Sequence, residues 1–153
     1  MNYTKVQSEI ISEIYKNEGG RGVKFDEMEG TPYVGILTCG YYGFILLRNQ
    51  FLLDKSKMES CKLLSDTYRR EGYVKQLKNT GIVRKTEIRK KTFSVIELET
   101  ENEKIVWLNE KYVKKFGKPE DLTFWSENEK TVIFVYEGNI LVGVIMPINR
   151  NAK

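Results

Sequence analysis

Ten of the chain's 25 lysines and arginines fall between Lys62 and Lys91, against three acids, Asp66, Glu71 and Glu87, so this segment carries +7. The rest of the chain holds 15 bases and 18 acids. Within the block, Arg84, Lys85, Arg89, Lys90 and Lys91 crowd into one short stretch. Cations this close together can each neutralise a phosphate, so a basic block in a faintly acidic chain suits an anionic partner, nucleic acid first. It equally suits a solvated segment with no partner. A second group, Lys111, Lys114 and Lys115, lies in WLNEKYVKKFG, residues 107–117. Its spacing is that of a short helix with lysines in its last turns, where the helix dipole already favours cations.

Other chemistry is sparse. The chain has no histidine, the commonest general base and a frequent metal ligand. Cys39 and Cys61 stand 22 positions apart with no histidine to complete a zinc site, and they read as two free thiols in a reducing compartment. No GxxxxGK[ST] or GxGxxG motif occurs. Gly35, Gly40 and Gly43 sit in strand-like runs, where a bulge or a close contact calls for glycine. Asp26, Glu27 and Glu29 cluster beside Gly30 without the spacing of a calcium loop, and read as a solvated acidic turn. Serine and cysteine nucleophiles lack a base. The expectation is a non-enzymatic protein that uses no cofactor and no metal. Tyr41, Tyr42, Phe44, Trp107, Trp125 and Tyr136 lie on strand-like runs. They could stack single-stranded bases, but their alternation with aliphatics favours packing.

At 153 residues and 41% apolar content, the chain has the size and composition of one soluble domain with a proper core. No apolar run approaches the roughly 20 residues that cross a bilayer. MNYTKVQSEIISEI lacks a basic stretch followed by an apolar one, which makes a cytoplasmic protein the default expectation.

Helix and strand periods alternate along the chain. Val6, Ile10 and Ile14 form a stripe that predicts a helix over 4–17, with Thr4 and Gln7 at capping-box spacing and Gly19-Gly20 as its stop. Strand-like runs follow at 23–25, 32–39 and 41–48. The segment from about 54 to 91 is the least regular, with one or two short helices in KMESCKLLSDTYRREGYVKQL. Strands return at 92–100 and 105–109, then 121–126, 131–137 and 140–148. ENEK recurs at 101–104 and 127–130 as turn chemistry. Between these strands, Asn109 is set to cap a helix with Glu110 in its first turn, Leu108 and Val113 at staple spacing, Tyr112, Val113 and Phe116 as its apolar face, and Gly117 as its end. The predicted fold class is α+β, a single domain over 1–153 made of two halves, each a helix plus an antiparallel meander.

LNEKYVKKFGKPEDLTFWSENEKTVIFVYEGNILVGVIMPI, residues 108–148, resembles the closing portion of a bacterial DNA polymerase sliding-clamp domain. The similar elements are Asn109, Lys111 and Tyr112 opening a short helix, the strand–turn–strand that follows, and a last strand ending in Met146-Pro147. The tail is also similar to small proteins of phages and mobile elements. The resemblance implies a single clamp-like domain built of two such halves, with Lys111, Lys114 and Lys115 on DNA phosphates. A bacterial clamp chain has three such domains and this chain has one, so a ring would require homo-oligomer assembly. Two functions are therefore expected: a phage or mobile-element protein that binds DNA through these basic residues, or a protein-interaction module that docks on or inhibits a host or element-encoded partner.

Overall fold

The computed structural model describes residues 1–16, 23–68 and 74–148. One ten-stranded sheet dominates it, in the order β4-β1-β2-β3-β10-β9-β8-β5-β6-β7. The strands are β1 (Lys24–Asp26), β2 (Tyr33–Leu37), β3 (Tyr42–Leu47), β4 (Glu59–Ser60), β5 (Lys75–Ile88), β6 (Lys91–Glu99), β7 (Ile105–Asn109), β8 (Leu122–Ser126), β9 (Ile133–Glu137) and β10 (Ile140–Ile145). The helices are α1 (Tyr3–Lys16), α2 (Leu63–Tyr68) and α3 (Glu110–Val113). β1 and β4 run parallel and every other pairing is antiparallel.

Two matching helix-plus-meander halves, and with them the sliding-clamp-like architecture, are not what the chain adopts. The described chain is sheet-dominated, with helices of 14, 6 and 4 residues. β4 and α2 intervene after the first meander, and the second part begins with the long β5–β6 pair, which has no counterpart in the first. The segment expected to be least regular contains the longest strand, β5, with 14 residues. Its period of two is hidden because Lys78 to Lys85 carries exposed side chains on both faces, so no apolar row marks an inner side.

Packing explains the rest. Val34, Ile36, Phe44 and Leu46 face α1 and α3, meeting Val6, Ile10, Val113 and Phe116 in one core cluster. Tyr33, Ile45, Phe134, Leu141 and Val144 point to the other face, where Leu64 of α2 and Met28 close a second cluster. Covered on both sides, β2 and β3 are apolar at nearly every position instead of alternating. β7, at the sheet edge, and β8 alternate.

The caps differ in part from the sequence reading. Asn2, not Thr4, caps α1: its side chain accepts from the Lys5 amide at 3.0 Å. Gln7 is buried and accepts from the Leu52 amide at 2.7 Å, which ties α1 to the loop after β3. The Gly19-Gly20 stop lies outside the described residues. Asn109 does cap α3, accepting from the Lys111 amide at 3.0 Å, and Val113 and Phe116 are fully buried. Both ENEK segments are turns, the first closed by Glu103 N–H to the Thr100 carbonyl at 3.0 Å, the second by Lys130 N–H to the Asn128 side chain at 2.8 Å.

Phe116 lies where a side chain at Gly143 of β10 would be: a Cβ built there falls 2.0 Å from the ring and 2.7 Å from the Gly43 carbonyl oxygen. Gly143→Ala is therefore expected to cost about 1–3 kcal/mol through overpacking. Phe116→Ala should cost about 3–5 kcal/mol through the cavity it leaves. Because the two share one space, the double variant should lose clearly less than the sum in urea unfolding, and strict additivity would show that the contact is not the cause.

Candidate nucleic-acid interface

β5 bends where it changes partners. Lys75 to Leu77 pair with β8, and from Lys78 onward the partner is β6. Between Asn79 and Val83 the chain takes four steps along β5 against two along β6, from Leu98 to Ile96. This bulge is built by Gly81 at φ +77°, whose amide donates to the Asn79 side chain at 2.9 Å, and by Thr80, whose hydroxyl donates to the Glu97 carbonyl at 3.1 Å.

Beyond the bulge the strands leave the body. The row Arg84–Val95–Asn109 is the last that includes β7. Past it, Lys85 to Ile88 pair only with Lys91 to Ser94, forming a two-stranded arm that closes through Arg89 and Lys90. Those two residues have φ of +52° and +65°, the signature of a type I′ turn, and neither is the glycine or asparagine such a turn favours. Arg84, Lys85, Arg89, Lys90 and Lys91 thus lie together on one projecting hairpin, all exposed. Lys111 follows the Asn109 cap, at the level where the arm leaves the sheet.

The cations are not equivalent. Arg84 Nε donates to Glu97 Oε1 at 3.2 Å, and Trp107 Nε1 reaches the same oxygen at 3.4 Å. Glu97 is 7% exposed, so Arg84 balances a buried carboxylate and anchors the root of the arm. Among the described residues, Lys85, Arg89, Lys90, Lys91 and Lys111 have no acidic partner.

α3 ends at Val113, so Lys114, Lys115 and Phe116 lie in the turn after it and not in a helix running to Gly117, and both of these lysines are engaged. Lys114 pairs with Glu110 at 2.5 Å, and Lys115 pairs with Glu9 while sitting 5.3 Å from the centre of the Tyr42 ring. Burial first, then the Glu9 charge, push the Tyr42 phenol well above its ordinary value, so it stays a neutral donor to Glu9. Lys115 is therefore chiefly a strap between α3 and α1. A shallow cleft between these helices is lined by Lys5, Glu9, Lys111, Lys114 and Lys115. Lys5 was not singled out in the sequence, since nothing near it marks its approach to α3.

The remaining candidates resolve differently. Asp26 is buried, accepting from the Met28 amide at 2.9 Å, from the Ser65 amide at 2.7 Å and from the Ser65 hydroxyl. Glu27 bridges Lys55 and Arg48, and the hydrogen bonds from Lys55 and then Arg48 hold its carboxyl below the usual range. Asp26 is thus internal, whereas Glu27 is half-buried among its ion pairs and Glu29 stays exposed as in a solvated turn. Among the described residues, no group of three or more Cys, Asp or Glu could hold a metal ion. Cys39 and Cys61 are free and half-buried. Phe44 is in the core, Trp125 packs edge-on against Tyr136, and exposed Tyr41 stacks on Tyr112. Lys75 and Lys78, also in the basic block, face acids at the base of the arm: Lys75 pairs with Glu101 at 2.7 Å and Lys78 lies opposite Glu99. Among the described residues, no helix is long and apolar enough to cross a membrane.

Comparison with protein-family models, with curated proteins and with solved structures finds no match. The site is defined by its geometry.

Arg84 and Lys85 are neighbours with different duties. Arg84→Ala should lower stability by about 1 kcal/mol, since it strands the Glu97 carboxylate while the guanidinium it removes is screened by solvent. Lys85→Ala should stay within about 0.5 kcal/mol. Equal losses in urea unfolding would refute the anchoring role. Replacing Arg89-Lys90 by Asn-Gly should relax both positive-φ residues, a gain of about 1 kcal/mol for the hairpin. It should appear as slower amide exchange between Lys85 and Ser94, and faster exchange would contradict the turn assignment.

Proposed function

We propose that this chain is a non-enzymatic, cytoplasmic DNA-binding protein whose contact surface is the tip of the β5–β6 arm, with Lys85, Arg89, Lys90 and Lys91 on phosphates and Lys111 as an auxiliary cation beside the arm's root. The observation that carries this reading is the unpaired state of these five cations on and beside a protruding hairpin, while Arg84, Lys114 and Lys115 are engaged with acids. A cation without an internal partner gives up no ion pair on meeting a phosphate, and the counterions it displaces from the nucleic acid drive binding.

Affinity should fall steeply with salt, by a slope in log K against log salt of about −0.9 per phosphate contacted. Converting Lys85, Arg89, Lys90 and Lys91 together to glutamate spares the Arg84–Glu97 anchor and should abolish binding in fluorescence anisotropy, with an unchanged circular dichroism spectrum. Lys115→Ala should weaken binding little but loosen the α1–α3 contact. Undiminished binding by the fourfold variant sinks this reading. A wild-type chain that binds no DNA but retains one stoichiometric protein partner would be the interaction module instead.

A further inference from the structure

The shape of the arm says which nucleic acid it can take. Past the Arg84–Val95–Asn109 row it is a two-stranded ribbon, four paired rows long before the Arg89-Lys90 turn. Four rows at about 3.3 Å each, plus the turn, make a projection of roughly 15 Å. Two strands about 4.8 Å apart, with their side chains, make a bar roughly 10 Å wide. The major groove of B-form DNA is about 12 Å wide and 8.5 Å deep and admits such a ribbon, whereas the minor groove, at about 6 Å, does not. The major groove of A-form RNA is too narrow for side chains to enter.

Charge placement agrees with insertion between two walls. Strand alternation sets Lys91 on one face of the ribbon and Lys85, beside Glu87, on the other, with Arg89 and Lys90 at the tip; Arg84, on the Lys91 face, stays with Glu97 at the root. Cations thus point to both sides and forward, as a bar flanked by two phosphate rows requires. A surface for a single strand would instead be one-sided and would offer aromatic rings for the bases. The arm's one aromatic ring, Phe93, is half-buried opposite Thr86, and from Ile82 to Ser94 there is no asparagine or glutamine to read adenine.

Resting on the DNA-binding reading above, we infer that the β5–β6 arm seats in the major groove of B-form duplex DNA, held by phosphates on both walls, and discriminates against single strands and duplex RNA.

The test uses the full chain in anisotropy titrations at low salt. The probes are a mixed-sequence DNA duplex containing an A·T run, one of its single strands, and the RNA duplex of the same sequence. The DNA duplex should bind at least tenfold more tightly than either of the others. Methyl green, a major-groove ligand, should displace the chain from the duplex, and netropsin, a minor-groove ligand, should not. Comparable affinity for all three probes overturns the inference. So does displacement by netropsin, or resistance to methyl green, while the DNA-binding reading survives. Failure to bind any probe overturns both. Any residual binding by the fourfold Lys85, Arg89, Lys90 and Lys91 glutamate variant should show no duplex preference, and a preference retained there overturns the assignment of the discrimination to the arm.

Discussion

β10 is the last of the described strands, yet it lies between β3 and β9 in the interior of the sheet. Both flanking meanders therefore meet on it, and the turn after α3 packs across its face through Phe116. The ring occupies the space beside Gly143, so helix and strand come closer than any side chain at that position would allow. This contact sets the height of α3 above the sheet, which in turn brings Lys115 to Glu9 and joins α3 to α1. Phe44 of β3 packs at a tilt against Phe116, and Tyr42 packs on Tyr112, so aromatic packing carries the same constraint across the strand boundary.

From that rigid centre the sheet extends outward to β5, β6 and β7, and its character changes. Leu98 and Ile96 of β6 are still buried, as are Val106 and Leu108 of β7, because the core reaches that far. Beyond the end of β7 the arm has no third strand beside it. A hairpin continuing there only half-buries its apolar residues, Ile88 and Phe93, and it stays in solution by carrying charge, which also keeps its open edges from pairing with other chains. Glu97 marks the boundary: it is the last buried polar group before the exposed arm, and Arg84 fixes the hairpin's root through it. The basic character of the arm and its protrusion are thus two consequences of one fact, that β5 and β6 outrun their neighbours.

Several elements were readable from residues alone. The α1 stripe, the asparagine cap and apolar face of α3, the two ENEK turns and the strands after Gly117 all depend on contacts within a few positions, where period and cap chemistry are sufficient. The clustering of Arg84, Lys85, Arg89, Lys90 and Lys91 was equally plain. What misled was the middle of the chain: a strand exposed on both faces has no inner row, so its period of two leaves no mark. The expectation of two equal halves followed from this, since without the β5–β6 arm the second half looks like the first. Thr4 with Gln7 offers the commoner capping-box spacing, but Asn2 is the cap, and Gln7 is drawn instead to Leu52, 45 positions away.

The sequence by itself determined where the basic residues lie along the chain, what chemistry is missing, and that a capped helix precedes the last three strands. Only the tertiary structure decided which cations are available. Lys114 and Lys115 are adjacent in sequence to a helix end that accounts for them, but Glu9, 106 positions from Lys115, takes the latter out of contention, as Glu97 does for Arg84. Ion pairing acts over a few ångströms of space and is blind to separation along the chain. Which lysines remain free for a ligand is therefore settled by the fold that brings the acids to them.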